Sequence, residues 1–204
     1  MRDLRHVIFS VVTPLLFLLM AMAVRAQNGP PDFQFAALRE NVQREPAPFR
    51  VFVTIGTNKF TFVTPDGFQI KEDPAQQRVI LTSANQTCTM IIKFGGTVSD
   101  GSSASDTTAC RDLLLKQYPK ATILNEFSAT AGQSGPAFDL QYLSPGGTSQ
   151  IMRVAFIPSV VGTLEFKATG TANVQMSFNT ILRTFSTSDA SGKLEIPPPV
   201  SDRM

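Results

Sequence analysis

Side chains that carry acid–base or nucleophilic chemistry are few in this sequence of 204 residues. Its one histidine, His6, lies in an N-terminal segment that we expect to be removed. Histidine is the commonest general base, and it also activates serine and cysteine nucleophiles and binds most transition metals. Only carboxylate sites of the calcium kind remain open to a chain without it. We therefore predict no catalytic residue, no metal site and no cofactor.

Two groups of residues resemble catalytic motifs superficially. Gly132-Gln133-Ser134-Gly135 places a serine between glycines, but its spacing differs from G-x-S-x-G and it lies between predicted strands, which predicts a turn. Glu126 and Asp139 lie on successive predicted strands, where they could face each other as the two carboxylates of a histidine-free hydrolase. The hypothesis that we favour is solvated charge, with Glu126, Asp139, Glu165 and Lys167 all on polar faces exposed to water.

Cys88 and Cys110 are the only two cysteines, one in a predicted strand and the other in a predicted helix. Both positions are expected to be buried, and cysteines that follow an export signal are commonly joined. A bridge would close a loop of about 22 residues and stabilise the fold by about 3 kcal/mol, because it restricts the unfolded chain. A redox-active pair would need C-x-x-C proximity, so we predict a structural disulfide between Cys88 and Cys110.

The first 26 residues have the pattern of a signal peptide. Arg2 and Arg5 precede an apolar run over residues 7–24, and Val24-Arg25-Ala26 supplies small residues at the two positions that signal peptidases recognise. We predict cleavage after Ala26 and an extracytoplasmic location, either periplasmic or secreted. The alternative is an uncleaved membrane anchor, because the apolar run approaches the length of a membrane span.

Cleavage also changes the charge balance of the chain. Loss of Arg2, Arg5, Arg25 and Asp3 reduces the basic residues from 18 to 15 and the acidic residues from 16 to 15. The mature chain is then formally neutral, whereas nucleic-acid binding needs a basic surface. We therefore expect no nucleic-acid partner, and contact with a membrane only through an uncleaved signal segment.

Apolar alternation predicts a domain rich in strands at residues 50–187. The stretch 60–70 contains two alternating runs around Pro65-Asp66-Gly67, which predicts a hairpin that delivers Phe68 into the core. The other predicted strands cover residues 50–55, 78–82, 87–94, 122–129, 137–143, 150–157 and 163–168.

Helical spacing predicts two helices in the same domain. The first begins at Ser105 or Asp106 and ends before Pro119. The second covers residues 172–185 and has one apolar stripe. The stripe consists of Val174, Phe178, Ile181, Leu182 and Phe185.

The segments that flank the domain are rich in proline. Residues 27–49 are predicted to be a leader or linker with a short helix over residues 35–43. Residues 188–204 are predicted to be a flexible proline-rich tail. The whole pattern predicts an α+β fold, a central antiparallel sheet with helices packed on it in an α/β/α sandwich.

The order of these elements resembles the Mog1/PsbP-like fold family over about residues 50–187. The resemblance depends on the Pro65-Asp66-Gly67-Phe68 turn and on the closing helix with Phe178, Ile181 and Phe185. It implies a small exported bacterial protein of unassigned role. Members related to PsbP are associated with photosystem oxygen evolution, sometimes with bound metal. Metal binding is not carried over, because the mature chain has no histidine to match.

Three functional hypotheses remain open from the sequence. The first is an exported, non-enzymatic binding or accessory module for an unknown protein or apolar molecule. The second is a carrier of a small apolar ligand in a cleft between sheet and helix, which the 16 phenylalanines permit. The third is the histidine-free carboxylate hydrolase.

Overall fold

The computed structural model describes residues 33–41, 46–98, 103–144, 146–188 and 194–195. The chain divides into two compact units, Met1–Pro31 and Asp32–Met204. The first unit, with the predicted signal peptide at residues 1–26, lies outside the described residues. None of the described helices is long and apolar enough to cross a membrane.

Strands dominate the described part of the second unit. In chain order they are β1 (Phe33–Arg39), β2 (Phe49–Ile55), β3 (Asn58–Val63), β4 (Phe68–Asp73), β5 (Arg78–Ser83), β6 (Cys88–Gly96), β7 (Thr122–Ala131), β8 (Gln133–Leu143), β9 (Ser149–Ser159), β10 (Gly162–Gly170), β11 (Ser186–Ser188) and β12 (Leu194–Glu195). The helices are α1 (Thr107–Gln117), α2 (Val174–Thr184) and a 3₁₀ turn at Pro74–Gln76.

The strands form two antiparallel sheets. The first has five strands in the order β1-β2-β3-β11-β12, and the second has seven in the order β4-β5-β6-β10-β9-β8-β7. Side chains from both sheets share one core, in which the rings of Phe60 and Phe94 lie 5.2 Å apart. The fold is mainly β and resembles a sandwich of two sheets, so the predicted α+β fold with a central sheet is wrong.

The error in fold class arises at the two ends of the domain. The segment predicted as a leader with a helix over residues 35–43 contributes β1 instead, because Phe33, Phe35 and Ala37 alternate and pack against the core. The predicted tail contributes β12, which pairs with β11. Together with β2, β3 and β11, these segments build the five-stranded sheet. The sequence predicts instead a single sheet covered by helices.

The Pro65-Asp66-Gly67 turn carries the chain from one sheet to the other. β3 pairs with β2 and β11, whereas β4 pairs with β5, so the predicted hairpin of β3 and β4 is wrong. The turn itself is present, because the amide of Phe68 donates to the carbonyl of Pro65 at 3.4 Å. Gly67 has a φ of +74° there. Phe68 is buried, as predicted.

The seven-stranded sheet is covered on both faces. On β9, Val154 and Phe156 face a cluster under α1, whereas Ala155 and Ile157 face the core shared with the first sheet and α2. Alternation on buried strands therefore produces two separate apolar clusters, one on each side of the sheet.

Both predicted helices are confirmed. The carboxylate of Asp106 caps α1 by accepting from the amide of Ala109 at 3.0 Å, and α1 ends before Pro119. The whole predicted stripe of α2 is buried. Its last member, Phe185, lies 5.0 Å from Phe166 and 6.0 Å from Phe60 between ring centroids, so α2 closes the core between the sheets.

Candidate binding site

The two cysteines do not form the predicted disulfide. Cys88 and Cys110 are both free and both buried. Cys88 belongs to the core between the sheets, whereas Cys110 belongs to the cluster under α1, on the other face of the seven-stranded sheet. The elements that carry them are predicted correctly, but a full sheet separates the two thiols.

Neither thiol is activated for nucleophilic chemistry. Burial raises the pKa of Cys88, and a hydrogen bond with Ser177 offsets part of this rise. Burial, followed by the negative charge of Asp106, raises the pKa of Cys110 to about 12. A thiol is nucleophilic as the thiolate, so both cysteines are inert at neutral pH.

Glu126 and Asp139 do not form a carboxylate pair. Glu126 lies opposite Phe138 on β8, whereas Asp139 lies opposite Asn125 on β7, so the two side chains point to opposite faces of the sheet. Each carboxylate instead pairs with an arginine, Glu126 with Arg111 and Asp139 with Arg153. The structure therefore provides no pair of carboxylates that could flank a scissile bond at these positions.

Asp139 lies in a nearly buried ion pair, which corrects its predicted exposure to water. The Nε and Nη2 atoms of Arg153 donate to its two carboxylate oxygens at 2.6 Å each, and the side chains expose only 10% and 15% of their surface. The guanidinium lies 4.7 Å from the ring centre of Phe127 and 5.9 Å from that of Phe178. These contacts fix α2 to the sheet, so the pair is structural.

The other suspected motifs are also structural. Gly132 forms the turn between β7 and β8, and Ser134 lies on β8 with its hydroxyl 2.9 Å from that of Thr130. The predicted turn is therefore confined to Gly132, because Gln133, Ser134 and Gly135 pair with β7. The strand-to-strand setting differs from that of a nucleophile elbow, which joins a strand to a helix. Glu165 and Lys167 form an ion pair of 3.7 Å with only 23% and 21% of their side-chain surfaces exposed, so they are less exposed to water than predicted.

An open cleft lies between α2 and two turns, and we call it the turn cleft. Its walls are the Pro65-Asp66-Gly67 turn, the β5–β6 turn around Asn85, and the helix residues Met176, Ser177 and Thr180. Its volume is about 680 Å³. The β5–β6 turn lies beside the start of α2, where the amide of Thr171 donates to the carbonyl of Thr87 at 3.0 Å. The end of β3, which leads into the other turn, contacts the end of α2, because the amide of Val63 donates to the hydroxyl of Thr184 at 3.0 Å.

A second opening, the helix groove, runs along the other side of α2. It has a volume of about 610 Å³, and its lining includes Ile151, Asn179 and Arg183. Asn173, Met176 and Thr180 line both openings. Met176 exposes 64% of its surface, so it forms a ridge between the two.

The lining of both openings is mixed in polarity and poor in charge. Of the described residues that line the turn cleft, Asp66 is the one carboxylate, and of those that line the helix groove, Arg183 is the one charged side chain. The described part of the chain contains no group of three or more histidine, cysteine or carboxylate side chains placed for a metal. The arrangement offers amide and hydroxyl hydrogen bonds and an apolar ridge.

Sequence reasoning singled out the Pro65-Asp66-Gly67 turn and Cys88, which line the turn cleft, but it did not single out Met176. Met176 lies outside the buried stripe of α2, and an apolar side chain on the outer face of an amphipathic helix is a signal that the sequence does contain. The turn cleft depends on how two turns and α2 come together, which no local pattern shows. No family model matches this chain, and no curated protein sequence matches it.

Proposed function

We propose that this protein is a non-enzymatic binding module that is exported and that holds a polypeptide segment of a partner protein along α2. The observation that carries the proposal is Met176, which is 64% exposed between two open clefts. Methionine is enriched at protein interfaces, where its flexible thioether adapts to different partner surfaces.

The lining of the clefts favours a polypeptide over a small apolar ligand. Small-molecule sites usually enclose their ligand in mostly apolar walls. Both clefts here are open, and their walls carry the side-chain amides of Asn173 and Asn179. Such groups satisfy the amide and carbonyl groups of a bound main chain, while Met176 and Ile151 contact its apolar side chains.

The chemistry near the clefts supports binding rather than catalysis. Cys88 lines the turn cleft, but it is buried and the rise in its pKa keeps it protonated at neutral pH. Asp66 has no second carboxylate beside it in the described lining. General acid–base catalysis at neutral pH is most efficient with a group whose pKa lies near 7, and burial moves the pKa of Cys88 further above that value.

The proposal is tested with random linear peptides displayed on phage. The protein is used for selection, and each enriched peptide is synthesised and titrated by fluorescence anisotropy against wild type and Met176→Asp. A buried aspartate at the ridge should weaken binding by at least about tenfold, because its charge must be desolvated.

Val160→Asp is the matched control for this experiment. Val160 is also an exposed apolar residue, at 75%, but it lies in the turn between β9 and β10 and lines neither cleft. Binding should be unchanged in this variant. Failure to enrich any peptide, or equal binding by Met176→Asp and wild type, contradicts the proposal. A small apolar molecule that co-purifies and is found by native mass spectrometry would favour the carrier function.

A further inference from the structure

The strand β7 forms one edge of the seven-stranded sheet. In the part of the chain that the structure describes, β8 is the one strand hydrogen-bonded to it. β7 has ten residues, Thr122–Ala131, so one side of a long strand presents unpaired backbone amides and carbonyls. An open edge of this kind is a template for an additional strand.

The two edges of this sheet differ in their protection. β4, at the opposite edge, ends in Lys71, Glu72 and Asp73, and charges of this kind discourage pairing. The register of β7 shifts between Ile123 and Asn125 and is regular from Asn125 to Ala131. That regular stretch contains one charge, Glu126, which already pairs with Arg111 of α1.

We propose that β7 pairs with β7 of a second copy of this chain, antiparallel and about a two-fold axis at Ser128. Ser128 is the middle residue of the regular stretch, so this axis alone uses all seven of its residues. The pairing joins two seven-stranded sheets into one continuous sheet. It gives a closed dimer, because each copy uses the same strand. The inference goes beyond the proposed function and does not depend on it.

The side chains are compatible with this register. Phe127 lies opposite Ala129 of the second copy, so the face that packs on the core between the sheets continues across the axis. Glu126 lies opposite Thr130 of the second copy, which places the two Glu126 side chains four residues apart along the strands. That distance is about 14 Å, longer than the Debye length of about 8 Å in physiological salt.

The test uses charge at the axis, because Ser128 faces its own counterpart there. Ser128 is exposed, so Ser128→Lys and Ser128→Glu can both fold. Each variant places two like charges directly opposite one another and should raise the dimer dissociation constant by about fivefold. An equimolar mixture of the two variants pairs Lys with Glu and should restore the dimer. Sedimentation velocity over a concentration series, on the protein as processed by the expressing cell, measures all three.

Gln69→Lys and Gln69→Glu are the matched controls, because Gln69 is an exposed residue on the opposite edge strand, β4. They should sediment as wild type, alone and mixed. A wild-type protein that remains monomeric at its highest soluble concentration overturns the proposal. So does a mixture of the Ser128 variants that is no more dimeric than either variant alone, which is the result expected if the edge receives a strand from another protein.

Discussion

The ion pair between Arg153 and Asp139 connects three strands and one helix. Their ion pair links β8 to β9, and the same guanidinium contacts aromatic rings on β7 and α2. The pair is nearly buried, so each charge depends on the other for the solvation that water no longer gives. The Arg111–Glu126 pair has the same chemistry on the surface, where water already solvates both charges.

Asp139→Ala should destabilise the protein by about 3–5 kcal/mol, because it leaves the charge of Arg153 buried without a partner. Urea unfolding followed by circular dichroism measures this loss. Glu126→Ala is the control and should cost no more than about 1 kcal/mol. Similar losses of unfolding free energy in the two variants would show that the buried ion pair contributes no more to stability than the exposed one.

Cys110 should give the stability of the protein a specific dependence on pH. Its pKa rises from 9.0 to about 12 on folding, so above pH 9 the unfolded chain loses a proton that the folded chain keeps. Stability is therefore fully present below pH 9 and falls as pH rises from 9 towards 12, by up to about 1.4 kcal/mol per pH unit.

Cys110→Ala removes this contribution and leaves the other titratable groups of the protein in place. The difference in unfolding free energy between wild type and Cys110→Ala, measured by urea unfolding at a series of pH values, should decline above pH 9. A difference that is constant with pH would contradict the assigned pKa.

At the scale of elements, the Pro65-Asp66-Gly67 turn determines the architecture because it joins the two sheets. Pro65, Asp66 and Gly67 end β3 in one sheet and begin β4 in the other. Gly67 has a φ of +74°, and a Cβ atom there would lie 3.1 Å from Cγ of Pro46. The turn therefore requires glycine both for its backbone conformation and for the close approach of the segment before β2.

Gly67→Ala should destabilise the fold by more than Gly147→Ala does. Gly147 has nearly the same φ, +77°, but a Cβ there meets nothing within 4 Å, so it reports the strain of positive φ alone, about 1–2 kcal/mol. Equilibrium urea unfolding of both variants gives the difference, which is the cost of the Pro46 contact. Equal losses would mean that Pro46 moves away freely.

The local patterns of the sequence predict most elements but not the sheets they join. Phe60/Phe62 and Phe68/Ile70 have the same alternation, yet one pair belongs to each sheet. Alternation of apolar and polar residues indicates that one face of a strand is buried, but it does not indicate which strand pairs with it. For the same reason the strand of Cys88 and the helix of Cys110 were predicted correctly, but their separation by a sheet was not.

The candidate site was less predictable than the elements around it. The apolar stripe of α2 identifies its buried face, and Met176 is conspicuous only as an apolar residue outside that stripe. The turn cleft arises where two turns distant in sequence from α2 lie beside that helix. That arrangement is a property of the topology, so spacing within the sequence does not reveal it.

At the scale of the whole molecule, cleavage of the signal peptide and export stay predictions from the sequence. The predicted cleavage after Ala26 precedes β1, the first described strand, which begins at Phe33. We therefore expect a protein that is recovered outside the cytoplasm, begins at Gln27 and unfolds as one cooperative unit. Mass spectrometry of the N-terminal peptide from the extracytoplasmic fraction measures the first part. An intact Met1 in that fraction would show that the segment is retained.

The first sheet takes strands from both ends of the domain, and this affects how a nascent chain can fold. β3 finds β11 only after α2 has been made, and the amide of Val63 donates to the hydroxyl of Thr184, 121 residues further along the chain. Until Phe185 emerges, Phe60 and Phe62 lack an aromatic ring that covers them in the finished protein. Any product that stops short of α2 therefore displays these phenylalanines to chaperones and proteases, so the topology itself marks incomplete chains for removal.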